Sequence, residues 1–290
     1  MPRDRCRPSP SPFCSAGHAP LFYASPIHQE ALARLHFLVG EQRSLGVLTG
    51  GDGSGKSLLL ATFRDELPSS EQPACLVNLM GLEPRDLLGE LAVGLRAQAR
   101  TSDDVYTLWQ RISERLRANH LLRLQTTVLL DDADEAAHEV LILVLRLLKS
   151  QPAGLTLVLA ADPARMTRLG GDLLQLSQLR IHLEPWEPDD VREYLQASLA
   201  RVGGHQQVFD EAAVERLYAL SNGVPRHCGG GERDVTAVAR LSGRRGVIRG
   251  AQRLVCRFHR LGADPVPCAV GGSQPGQFGQ MRNPPRHPVG

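Results

Sequence analysis

The sequence predicts an α/β fold in which a parallel sheet is sandwiched by helices and is followed by a small helical domain. Three observations point there. Short apolar runs alternate with segments of helical periodicity between about residues 25 and 183. One of these runs leads directly into Gly50-Gly51-Asp52-Gly53-Ser54-Gly55-Lys56-Ser57, which fits the phosphate-loop pattern G-x-x-x-x-G-K-[ST]. Beyond Pro185 and Pro188 the pattern becomes wholly helical.

The elements follow in order. After Ser25-Pro26 a helix carries Ala31, Leu32, Leu35, Leu38 and Val39 on one face. Leu45 to Thr49 reads as a short buried strand, and Leu58, Leu59, Leu60, Ala61 and Phe63 give the next helix its apolar face, ending near Pro68. Ala74 to Leu79 is a second strand. Helices near 84–98 and 104–119 lead to a third strand at Thr126–Asp131. A strongly apolar helix from about Glu135 to Lys149 is closed by Pro152 and Gly154, before strands at Leu155–Ala161 and Arg180–Leu183. In the helical region Val191, Tyr194, Leu195, Leu199 and Val202 form one stripe, and Val214, Leu217, Tyr218 and Leu220 another. The expected organisation is a disordered leader over 1–20, a core over 21–186, a helical lid over 187–227 and an arginine-, glycine- and proline-rich tail over 228–290.

Composition narrows the function classes. The 290 residues suffice for one α/β domain of ordinary size with a small second domain, and 42% hydrophobic content suits a globular protein. No stretch approaches the roughly 20 apolar residues needed to span a bilayer, since the richest run, Val140 to Leu148, is broken by Arg146. Arg3, Arg5 and Arg7 have no apolar segment behind them, so a cleaved secretion signal is not expected, and the cytoplasm is the expected compartment. The cysteines at 6, 14, 75, 228, 256 and 268 lack zinc spacing, which leaves metal ligation by cysteine unsupported; Cys75 reads as a small core residue.

The glycine-rich octapeptide carries the chemistry. Close packing of main-chain N–H groups around a polyphosphate requires residues without Cβ. Lys56 would place a point charge near the β and γ phosphates, and Ser57 would bind Mg²⁺ through its hydroxyl. The helix starting near Gly55 would aim its positive end at the anion. Hydrolysis also needs an acid at a strand end, and Val128-Leu129-Leu130-Asp131-Asp132 supplies it. Asp131 would hold Mg²⁺, directly or through water. Asp132 has two readings: it positions or deprotonates the attacking water, or it is, with Asp134, a solvated cap for the helix near Glu135.

On these residues the chain resembles the AAA+ ATPases of the general secretion pathway protein A type, which are related to the ATPase subunits of some transposition systems. The resemblance runs from about Pro12 to Arg226. It rests on Pro12-Phe13, the segment Leu21 to Leu32, the phosphate loop, the Asp131 strand, Leu179 to Trp186, and Leu220-Ser221-Asn222-Gly223-Val224-Pro225-Arg226. It implies that Phe22 to Leu32 covers the adenine base, that Asp162 stands at the γ-phosphate sensor, and that Arg226 is the second sensor, supplied by the lid. Arg180 is a candidate arginine finger toward a neighbouring subunit, or a surface arginine beside a strand. Two departures from the family bear on hydrolysis. Asp132 stands where glutamate is usual, and Asp162 replaces an amide or hydroxyl, so that a γ-phosphate would be repelled unless a cation or hydrogen bond compensates.

The family's Pro-Arg opens a further lid helix, which Cys228-Gly229-Gly230-Gly231 is expected to leave missing, so that the lid is truncated. Residues 228–290 hold ten arginines and three acids, so +7 sits there and −5 in the rest of a chain of net charge +2. Three readings are open for this region: a shifted reading frame, an arginine-rich tail that binds nucleic acid, and an inert tail. For the whole chain the leading expectation is an ATP- and Mg²⁺-dependent ATPase that remodels a protein partner of the secretion or transposition type and works as a homo-oligomer. A nucleotide switch with little hydrolysis and a DNA-stimulated transposition ATPase are the alternatives.

Overall fold

The computed structural model describes residues 22–68, 72–100, 102–150, 154–201 and 211–230. The predicted leader and the tail beyond Gly230, with the reading-frame and nucleic-acid readings attached to it, lie outside the described residues. Five parallel strands, β1 (Leu45–Gly50), β2 (Ala74–Asn78), β3 (Thr126–Asp131), β4 (Leu155–Ala161) and β5 (Leu179–Leu183), pair in the order β2-β3-β4-β1-β5. The three inner strands are buried throughout and read as continuous apolar runs, whereas the edge strands β2 and β5 alternate. Burial on both faces by helices accounts for that difference.

Strand side chains alternate between the faces, and each face has its own core. Leu45, Val47, Val128, Leu130, Leu157 and Leu159 meet α3 (Pro84–Gly94), α4 (Val105–Leu121) and α5 (His138–Ser150) on one side. Leu48, Leu129, Val158 and Ala160 meet α1 (Pro26–Gly40) and α2 (Lys56–Glu66) on the other. Start signals agree with these boundaries. Ser25 caps α1 with Pro26 in its first turn, and the Asp104 carboxylate accepts the Thr107 N–H at 2.8 Å to open α4.

Past α6 (Gly171–Leu176) and β5, Trp186 leads into the lid, formed by α7 (Pro188–Arg201), α8 (Glu211–Ser221) and α9 (Pro225–Gly230). Its core is Trp186, Val191, Leu195, Ala213, Val214, Leu217 and Cys228, with Tyr23 and Ile27 reaching it from the start of the chain. Two expectations are corrected. The helix opened by Pro225-Arg226, expected to be missing, is present over Pro225–Gly230, and Cys228 is fully buried in the lid core. The helix expected near Glu135 starts at His138, because residues 133–135 make a separate 3-10 turn.

Candidate nucleotide site

The carboxyl ends of β1, β3 and β4 lie side by side, with Thr49 opposite Ala161, Leu130 opposite Leu159 and Asp131 opposite Asn78. Ligands of open parallel sheets sit outside this edge. From it the chain enters residues 50–55 and turns into α2 at Lys56. Gly53 (φ +77) and Gly55 (φ +97) are left-handed, and a Cβ on Gly55 would stand 2.8 Å from His28 Nε2, so backbone and neighbour both demand glycine there.

The loop carbonyls are held from the protein side. Lys56 Nζ donates to Gly50 O at 2.7 Å and Gly51 O at 3.1 Å, the Arg226 N–H donates to Gly53 O at 3.1 Å, and His28 Nε2 donates to Ser54 O at 3.0 Å. A peptide unit is planar and trans, so each anchored carbonyl turns the next N–H the opposite way. The amides of Gly51, Asp52 and Gly55 are thereby aimed away from the protein donors, and the Ser54 hydroxyl, buried in the same loop, has no protein partner. Such a donor set fits a polyanion.

Asp131 closes the site from β3. Its carboxylate, 4% exposed, lies near the Ser57 side chain and accepts the Asp132 N–H at 3.0 Å. Burial holds its pKa above the ordinary carboxylate value; the Asp132 charge adds to that rise, while the nearby Ser57 hydroxyl, the Asp132 N–H and the Lys56 charge oppose it. Asp131 and Ser57 together offer the oxygen ligands that a divalent cation would take. The structure thus brings Lys56, Ser57 and Asp131 together.

The remaining predicted residues are placed as follows. Asp132, left-handed at φ 49, does not cap with its side chain; the Asn78 amide donates to its carboxylate at 2.7 Å. Asp134 is no cap for α5 either, because its buried carboxylate accepts the Asp162 N–H at 3.1 Å and pairs with Arg165 Nε at 2.8 Å. The Asp162 carboxylate takes the Ala164 N–H at 2.8 Å and has Arg165 Nη2 at 3.9 Å, a cation of the kind that the departure at this position demands. Asp52 and Arg226 form an exposed pair at 3.2 Å. Arg180 donates to Leu174 O at 2.8 Å, which ties it to the end of α6. From the segment predicted to cover the base, Phe22 packs edge-on to His28, and the Tyr23 hydroxyl, its pKa pushed up to about 12 by burial and Glu193, donates to Glu193 at 3.3 Å.

Asn78 and Arg165, which the sequence reading does not single out, stand against the predicted Asp132 and Asp162. The position of Asn78 at the carboxyl end of a strand was a usable signal. The i,i+3 spacing of Asp162 and Arg165 was another.

Residues 39–169 match the AAA domain family. The core of this chain is an AAA domain. Over 225 residues the chain is 30% identical to general secretion pathway protein A of Aeromonas hydrophila, covering 75% of this chain and 41% of that protein, so it spans less than half the relative's length. Among solved structures, Cdc6p from Pyrobaculum aerophilum aligns with a TM-score of 0.63 at 19% identity, over 84% of this chain and 70% of that one. The Orc1 protein of Aeropyrum pernix, solved in complex with DNA, gives 0.57 at 20% identity, over 79% and 65%. These likenesses establish an AAA+ fold. The matched residues take in β1 to β4 and the loop-to-helix junction at Gly55-Lys56.

Proposed function

We propose that this chain binds MgATP at the loop of residues 50–57 and hydrolyses it to remodel or assemble a partner complex, in the manner suggested by its likeness to general secretion pathway protein A. The observation that carries this reading is the placement of the buried Asp131 carboxylate, at the end of β3, beside the Ser57 side chain of the loop-to-helix junction. Both are oxygen ligands suited to Mg²⁺. When bound, Mg²⁺ would neutralise charge on the β and γ phosphoryl oxygens.

This chain's own residues supply the rest. The Gly51, Asp52 and Gly55 amides orient the phosphates. Lys56 leaves the Gly50 and Gly51 carbonyls for the phosphate oxygens, while Arg226 exchanges the exposed Asp52 carboxylate for the phosphate. Asp132, held by Asn78, positions the attacking water or takes its proton. Arg165 offsets the negative charge of Asp162. The cytoplasm, with its ATP pool, and a homo-oligomeric state complete the proposal; the partner is a protein of the secretion or transposition type.

Calorimetry with MgATP tests the core of it. Lys56→Ala should weaken binding at least a hundredfold, since one charge-assisted contact is worth about 1.5–3 kcal/mol and Lys56 makes more than one. Unchanged affinity refutes the site. Phosphate release measured with and without duplex DNA separates the remodelling reading from the switch and from the DNA-stimulated ATPase.

A further inference from the structure

Between Trp186, the hinge position where the chain enters the lid, and the phosphate loop runs a buried chain of hydrogen bonds whose direction is fixed by its ends. The Trp186 indole Nε1 can only donate, and it donates to Ser25 Oγ at 3.0 Å. The Ser54 carbonyl can only accept, so His28 Nε2, 3.0 Å away, carries the proton. Burial lowers the His28 pKa and keeps the ring neutral, leaving Nδ1 an acceptor for the Ser25 hydroxyl at 2.7 Å. Ser25 Oγ also accepts the His28 main-chain N–H at 3.5 Å, so its one proton and both lone pairs are engaged. Ser25, His28 and Trp186 are each no more than 3% exposed.

The two ends of this chain belong to different parts of the fold. Trp186 is the first lid-core residue after β5; its N–H donates to Gly223 O at 2.8 Å, and its ring packs against Tyr194 at 5.0 Å. Ser54 O belongs to the same planar unit as the Gly55 N–H, one of the amides aimed at the phosphate position. A rotation of that unit therefore cannot occur without stretching or reorienting the His28 bond.

We propose that His28 is a positioning residue that couples nucleotide occupancy of the phosphate loop to the lid hinge through the path Ser54–His28–Ser25–Trp186. The inference rests on the nucleotide reading of the loop and adds to it the route by which the lid senses the ligand. Phosphate drawing on the Gly55 N–H tilts the Ser54 carbonyl, His28 follows, and the indole N–H of Trp186 changes its hydrogen bond.

Trp186 is its own reporter once the other tryptophan is removed by Trp109→Phe. In that full-length background MgADP is titrated by calorimetry and, in parallel, by Trp186 emission. Binding with a shift in emission is expected. His28→Gln keeps an amide N–H for Ser54 O but cannot also receive the Ser25 hydroxyl, and Ser25→Ala breaks the chain one link further on. Both should bind MgADP within about tenfold of the background, the range of one neutral hydrogen bond, and lose most of the emission shift. Thermal unfolding identifies any variant that fails to fold, and the other variant then decides.

If either folded variant shows the background's full shift per bound nucleotide, the coupling role is overturned and the nucleotide site stands. A background that binds MgADP with no shift has the same consequence. No binding in the background overturns the nucleotide reading, and the coupling with it.

Discussion

Replacing Gly223 by alanine asks how tightly the lid is registered against the core, and a matched control is built into the chain. Gly223 and Gly81 share a φ of +69. Around Gly81 a new Cβ meets nothing within 4 Å, whereas at Gly223 it overlaps the Trp186 carbonyl oxygen and stands 3.0 Å from Trp186 N. Gly81→Ala therefore reads the left-handed backbone cost alone, about 1–2 kcal/mol for an L-residue.

Gly223→Ala adds to this the displacement of a backbone segment by roughly an ångström. Overpacking of that kind costs about 1–3 kcal/mol. The 2.8 Å bond from the Trp186 N–H to Gly223 O is strained or lost with it, for roughly 1 kcal/mol more. The difference between the two variants should thus be about 2–4 kcal/mol, the sum of those two terms. Urea unfolding followed by Trp186 emission in the Trp109→Phe background measures it at the hinge itself. A difference below about 0.5 kcal/mol, the ordinary scatter of neutral substitutions, would refute the claim that the hinge is a fixed steric contact.

Two further outcomes follow from the site. Asp131→Asn should abolish Mg²⁺-dependent nucleotide binding and yet raise the unfolding temperature of the ligand-free protein at neutral pH, because it removes a buried charge and keeps the shape of the side chain. A raised native pKa means that the folded state favours the proton, so the stability gain should shrink as pH falls through the carboxylate range and Asp131 takes up its own proton; an equal gain at every pH would contradict the cause assigned. Asn78→Ala should lower phosphate release about tenfold or more while MgATP affinity by calorimetry stays within about threefold, since it frees Asp132 and touches no loop residue; parallel losses in both would remove Asn78 from the hydrolytic side of the site.

What could be read from the sequence, and what could not, divides along contact distance. Thr126–Asp131 and Leu155–Ala161 coincide with strands of the structure because doubly covered strands must be unbroken apolar runs, a local property. The octapeptide was legible because its residues are contiguous. By contrast, α6 has six residues and the 3-10 segment Pro163–Leu169 seven, too short for periodicity to register, and neither was anticipated. The acids before α5 looked like caps, since Asp is a common cap; the Asp134 carboxylate instead holds Asp162 and Arg165, partners that only the β3–β4 pairing delivers. Asn78 and Asp132, 54 positions apart, meet through the β2–β3 pairing, which sets Asn78 opposite Asp131. The helix after Pro225 was expected to be missing because three glycines follow Cys228, yet the buried Cys228 ties this turn to the lid core.

The loop's shape is therefore not the loop's own property. Its carbonyls are anchored by Lys56 from α2, by His28 from α1 and by the Arg226 amide from α9, and the last two are attached to the lid hinge through Trp186 and Gly223. A ligand that gains affinity when these anchors are in place must, by reciprocity of binding free energies, hold the lid in place by the same factor. Loosening the hinge at Gly223 and occupying the loop with nucleotide are thus opposite perturbations of one equilibrium. Nucleotide should recover in Gly223→Ala part of the stability that the overlap with Trp186 removes, and it should do nothing of the kind for Gly81→Ala, whose strained turn touches neither anchor.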